Sequence, residues 1–199
     1  MQRLRRLFAG GSAGNEQLTA IVATLLLVLL AAEGVTILRI GSLMTWHAFV
    51  GVLLIPVVAL KIASTGWRML RYYLRGEEYV RRGPPHLVLR VLVAPVLVAS
   101  TIVVFTTGVA LLALDRTQGL VVGLHKASFV VWAVAFGLHL LTRLPNLLPG
   151  LRQRLPGLGL RAALVTCALA SGVVLATATL PAADHLQDHM SARFGLDER

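Results

Sequence analysis

His125 and His139 lie fourteen residues apart in the almost wholly apolar run Gly119 to Arg143. At about 100° per residue, that interval brings the second ring back to within roughly 40° of the first, about 21 Å along a helix axis. One face of one helix would then present an imidazole near each end. The run is long enough to cross a bilayer. Histidine inside a membrane segment is costly and usually has a partner. Neutral imidazole nitrogen is a common ligand of haem iron. Two such rings on one face suggest two stacked haems, one per leaflet.

The rest of the chain must supply the surroundings that make this chemistry possible. Of its 199 residues, 56% are hydrophobic and only 14% charged, which is the composition of a membrane protein rather than a soluble domain. The single cysteine, Cys167, excludes a disulfide framework or a thiolate metal site within the chain. A net charge of +10 would suit nucleic acid. The basic residues instead cluster between apolar runs, so the positive-inside rule accounts for them and no nucleic-acid partner is expected. No phosphate-binding glycine loop, GxSxG elbow or HExxH motif is present, so a self-contained hydrolase or nucleotide enzyme has no support.

Five spans follow from the apolar runs: about 18–40, 43–64, 86–114, 119–143 and 160–180. Residues 1–17 form a basic cytoplasmic arm that leads into a retained first span rather than a cleaved signal peptide. Gly41 and Ser42 make a tight connection between spans one and two. The stretch 66–83, GWRMLRYYLRGEEYVRRG, is basic and amphipathic, with Trp and Tyr suited to the headgroup region. Pro84 and Pro85 open span three, and Pro95 inside it should kink or locally break the helix. The link 144–157 holds three prolines with Arg152 and Arg154 and reads as a second basic loop. Residues 181–199 form a polar external tail that could be partly helical. His185 and His189 in it are spaced as a surface metal pair would be, although a solvated tail is the simpler reading. With five spans, Arg3, Arg5, Arg6 and both basic loops fall on one side. The expected protein is a multi-pass plasma-membrane protein, N-terminus cytoplasmic and C-terminus external.

Depth then sorts the histidines. Span two begins outside, so His47 is outer, and span three begins inside, so His86 is inner. On span four His125 is outer and His139 inner. The rings fall into two pairs, His47 with His125 and His86 with His139, each able to clamp one haem b iron from both sides. His86 on its own, beside two prolines, reads equally as an interfacial hydrogen-bonding residue. A four-helix-bundle core is a common place for such a cofactor.

This arrangement resembles the di-haem b-type cytochrome membrane subunits, such as the gamma subunit of respiratory formate dehydrogenase. Those subunits also place two histidines about fourteen residues apart on one helix and one on each of two others. The cytochrome b of respiratory bc complexes uses a similar interval. The resemblance covers roughly residues 43–144 and rests on spacing. It implies an electron-transfer subunit of an oxidoreductase, working between a redox partner and a quinone or second partner. This chain adds a leading span and passes directly from the His86 helix to the two-histidine helix, so span one or five must complete the bundle. Locally, ASTGWRMLRYY, GPPH and LHKASFVVW resemble a family of bacterial membrane proteins of unassigned function.

Other residues share the histidine faces. Phe129, Trp132 and Phe136 would either fill the space between two porphyrins or simply pack. Gly51, one turn after His47, and Gly108, at outer depth in span three, would let a macrocycle approach the backbone or serve helix contact. Lys61 lies fourteen residues after His47, and Arg90 and Arg143 follow His86 and His139 by one turn, so each can face an inner haem propionate or snorkel to headgroups. Lys126, Arg116 and Arg39 are the outer counterparts. Glu33, the one acid well inside a span, is expected to pair with Lys126 or Arg39, or else to relay a proton to a quinone.

The sequence thus predicts an all-α integral membrane protein of five transmembrane helices with a haem-binding four-helix-bundle core. The expected function is that of a membrane b-type cytochrome with two bis-histidine haems. Three rivals remain: a single-haem cytochrome, a transporter or proton-conducting protein, and a structural subunit without chemistry.

Overall fold

The computed structural model describes residues 11–81, 89–152 and 155–194. Among these there is no strand, and five helices are long and apolar enough to cross a membrane. They are α1 (Gly11–Leu38), α2 (Ile40–Tyr73), α4 (Ala94–Leu114), α5 (Leu120–Arg143) and α7 (Leu158–Ala178), with short helices α3 (Glu77–Arg81) and α6 (Leu147–Arg152) between them. A last helix, α8 (Leu180–Phe194), follows α7 directly. The protein is therefore an all-α, multi-pass membrane protein. Large apolar side chains such as Val28, Ile102, Val130, Val134 and Leu141 stand exposed along the spans. Lipid satisfies such a surface, because helices meet their own backbone hydrogen bonds and need only apolar contact outside.

The α2 helix is the hub. Val22 and Leu26 of α1 pack against its Leu54 and Val57. Its Val52 and Leu53 share a second cluster with Leu112 of α4, Ala176 of α7 and Ala183 and Leu186 of α8. Gly172 of α7 crosses Leu53 so closely that a Cβ there would stand 2.5 Å from the Leu53 carbonyl oxygen. Small residues at such crossings let helix backbones approach in lipid, where packing rather than water drives association. α5 forms a hairpin with α4, and α4 carries this pair onto α2. Among the described residues α5 packs chiefly on α4, and α2 meets α5 mainly through side chains.

Contacts at the two ends fix the up-and-down order. At one end, Lys61 Nζ donates to Thr19 O (2.7 Å) and Asn15 Nδ2 to Ser64 O (2.9 Å). There α6 also meets α1, where Gly150 faces Ala20. Arg68, Arg71, Arg75, Arg81, Arg143, Arg152 and Arg161 belong to this arginine-rich end. Arg71 lies over the rings of Trp67 and Tyr79, as expected of a headgroup layer. Buried Arg161 was not foreseen: its guanidinium donates to Leu155 O and Pro156 O (3.1 and 2.8 Å) and ties down the turn before α7. At the other end, the His47 end, α1 meets α2 and α7 meets α8.

Three local features refine the sequence reading, the break expected at Pro95 among them. The break between spans one and two is bracketed by Arg39 and by Leu43, whose φ/ψ of −121° and 24° are not helical. A single π-helical turn, Leu89–Val93, precedes Ala94 and Pro95. Proline lacks an N–H and collides with the carbonyl four residues back, and a wider turn relieves both. The expected solvated tail is largely a docked helix. Ala183 and Leu186 of α8 are fully buried against α2. Gln187 Oε1 accepts from Met44 N (2.7 Å) and its Nε2 donates to Gly41 O (2.7 Å), so this side chain satisfies backbone groups freed by the Leu43 break. Thr45 Oγ1 adds a bond to Asp184 Oδ1 (3.0 Å), and His189 pairs with Asp115 at the end of α4 (3.2 Å).

Candidate functional site

The structure brings His47 and His125 together. Their ring centroids are 6.4 Å apart, with 85° between the planes, although α5 packs chiefly on α4. Each ring is held by its Nδ1. His47 Nδ1 lies 2.9 Å from Glu33 Oε1 and 3.1 Å from Thr36 Oγ1. His125 Nδ1 lies 3.1 Å from Val104 O and 3.0 Å from Thr107 Oγ1.

The acceptors decide the tautomer. A backbone carbonyl has no proton to give, so His125 must donate Nδ1–H to Val104 O. A carboxylate likewise only accepts, so His47 donates Nδ1–H to Glu33. The hydroxyl protons of Thr36 and Thr107 go elsewhere, to Glu33 O (2.6 Å) and to Val103 O (2.6 Å). With Nδ1 engaged in this way, each ring in its neutral form would carry its lone pair on Nε2, the atom that a metal needs, with Nδ1 anchored as in most metal-binding histidines.

Helix geometry explains why the rings can be held this way. Glu33 and Thr36 sit three residues apart on one face of α1, directly before the Leu43 corner that starts α2. Thr107 and Val104 have the same spacing on α4. Gly108 faces the edge of His125: a Cβ there would come 3.2 Å from Cε1 and 3.6 Å from Nδ1. The missing side chain lets the imidazole approach the α4 backbone and reach Val104 O. Gly51 faces Glu33, with a built Cβ 3.6 Å from Oε1. Both glycines thus border the histidine pair, Gly108 through the His125 imidazole and Gly51 through the carboxylate partner of His47. Of the two spans that might have completed the bundle, α1 supplies the side chains at this pair.

Glu33 does not pair with Lys126 or Arg39. It pairs with His47, and Lys126, Arg116 and Arg39 are exposed. Hydropathy identifies α1 as a span but not its rotation about its own axis, so the sequence left this partner open. Both side chains of the pair are mostly covered, 14% exposed for Glu33 and 19% for His47.

At the arginine-rich end, His139 lies within electrostatic reach of Lys61 and Arg143. Arg68 lies within the same reach of Arg143, so cations from α2 and α5 face one another here. His86, the expected partner of His139, lies outside the described residues, as does the side chain of Arg90. Between the two levels, Phe129, Trp132 and Phe136 stack on one another, with centroid distances of 6.0 and 4.9 Å. Of the two tail histidines, His189 pairs with Asp115 (3.2 Å). Among the described residues no group of three or more His, Cys, Asp or Glu side chains is placed to hold a bare metal ion.

Haem asks for less, an imidazole on each side, and the His47 end fits that demand. Metal–imidazole nitrogen distances are about 2.0 to 2.1 Å, which places the centroids of two opposed rings roughly 6 Å apart. The 6.4 Å spacing agrees with this. No known protein family, curated protein or solved structure matches the chain.

Proposed function

We propose that the protein is a membrane b-type cytochrome that binds two haems and passes electrons across the bilayer between a partner oxidoreductase and a quinone or second partner. The observation that carries this reading is that His47 and His125, from α2 and α5, stand with ring centroids 6.4 Å apart and each anchored through Nδ1. Haem b supplies a one-electron iron couple, and an imidazole on each side suits it to electron transfer rather than to substrate binding. The chain's own residues do the rest. Glu33 and Thr36 orient His47, while Val104 and Thr107 orient His125. His139 offers a ligand at the other level, to be joined by His86. Lys61 and Arg143 gather positive charge there, which suits propionates.

The chain acts as an electron-transfer subunit rather than a self-contained enzyme. The positive-inside rule places the arginine-rich end in the cytoplasm and the His47 end outside the plasma membrane. Purification after haem-replete expression tests the reading: pyridine haemochrome should give two haems per chain. His125→Ala and His139→Ala should each remove one. A preparation with no Soret band overturns the proposal. Loss at His125 alone, with one haem in the wild type, assigns a single-haem cytochrome.

One observation favours a second reading. Glu33, His47, His125 and Thr107 form a run of polar groups inside an apolar bundle, as a proton path would. Haem-free protein that carries protons in liposomes would select it.

A further inference from the structure

The two histidines at the His47 end are anchored unequally. His125 leans on a carbonyl and a hydroxyl, both neutral. His47 leans on a carboxylate, at 2.9 Å, inside a largely covered site. Thr36 Oγ1 lies beside the same Nδ1 (3.1 Å), its own proton given to Glu33 O (2.6 Å). Gly51 leaves ordinary contact room for the carboxylate across the α1–α2 interface. One carboxyl group of α1 thus meets one imidazole of α2 directly.

We propose that Glu33 is a positioning residue that acts through His47 Nδ1 to favour the oxidised state of a haem bound at this pair. The inference rests on the cytochrome reading above. A carboxylate that accepts Nδ1–H draws the proton toward itself and makes Nε2 a stronger donor. Stronger donation stabilises ferric more than ferrous iron, and second-shell hydrogen bonding is a recognised lever on haem potential. The neutral partners of His125 exert no comparable pull. In a chain with two haems, the one beside Glu33 is then the lower in potential for its ligand set, and electrons leave it more readily.

The test is a redox titration of the full-length, haem-loaded chain in detergent. Glu33→Gln keeps an acceptor for Nδ1–H and removes the charge. We expect it to retain its haem count and to shift one haem toward the reduced form by about tenfold or more at fixed ambient potential, about 59 mV for a one-electron couple. Thr107→Val, which leaves Val104 O in place, should shift its haem far less. Haem-loaded Glu33→Gln with an unchanged titration overturns the proposal and leaves the cytochrome reading standing. If that variant holds no haem at this pair, the wild type decides. Its ferric near-infrared charge-transfer band should be displaced from that of bis-imidazole haem, and coincidence with it overturns the proposal. A wild-type chain that binds no haem sinks the reading itself, and this inference with it.

Discussion

Replacing Gly108 by alanine sets two effects of opposite sign against each other. In a helix interior, glycine to alanine gains up to about 1 kcal/mol of intrinsic propensity. At this position, however, the new Cβ would stand 3.2 Å from His125 Cε1. Ordinary carbon–carbon contact is about 3.5 to 4.0 Å, so the ring must retreat by roughly 0.3 Å or more. That retreat lengthens the bond from His125 Nδ1 to Val104 O, already 3.1 Å. It passes the upper end of good N–H···O geometry, about 3.2 Å. Losing most of a hydrogen bond that orients a ligand costs about 0.5–1.5 kcal/mol. At about 1.4 kcal/mol per decade, haem affinity should fall roughly two- to twelvefold. Thermal unfolding of the haem-free chain reads the first effect, and a haem titration followed at the Soret band reads the second. Because the two effects nearly offset in the haem-free chain, we expect a melting temperature close to wild type together with weaker haem binding. Unaltered affinity would refute the reasoning, as would an affinity loss that merely tracks a fall in melting temperature.

Three further outcomes are expected. Gly172→Ala drives a Cβ into the Leu53 carbonyl, so the haem-free chain should lose about 1–3 kcal/mol and melt earlier in detergent; a variant as stable as wild type would show that α7 does not cross α2 there. Gln187→Ala leaves Met44 N and Gly41 O without this partner, which should cost about 1–3 kcal/mol and expose α8 to protease; cleavage at the wild-type rate would count against the docked helix. In a Cys167→Ser background, a membrane-impermeant maleimide on intact cells should label Ala192→Cys but not Glu77→Cys, and the reverse pattern would invert the assigned orientation.

The spans were legible because length and apolarity alone decide what can cross a bilayer. α5 begins and ends within a residue of its expected limits, and α7 within two. The meeting of His47 with His125 was legible for a related reason: alternating spans fix depth, and depth paired those rings. Rotation about the helix axis was not legible. Glu33 was therefore assigned to exposed cations when α1 in fact turns it toward His47. A partly helical tail was one reading of this stretch, but its docking was missed because α8 is polar overall, and only Ala183 and Leu186, three residues apart, betray a face that packs. α2 runs on through the arginine-rich segment to Tyr73, past its expected end at 64, because arginine and tyrosine are tolerated in a helix that leaves the apolar layer. The aromatic stripe was read both ways, and the structure shows its rings stacked on each other.

The clasp between Gln187 and the Leu43 corner joins segments 143 residues apart in the chain. During synthesis the corner is made early and waits for its clasp until all five spans have been threaded into the bilayer. A contact of such long range forms late, because the intervening chain must be ordered first. A fragment cut just before residue 180 would keep all five apolar helices with His47, His125 and His139, yet would lose the side chain that closes the Leu43 corner. Completion of this corner is thus tied to the arrival of α8.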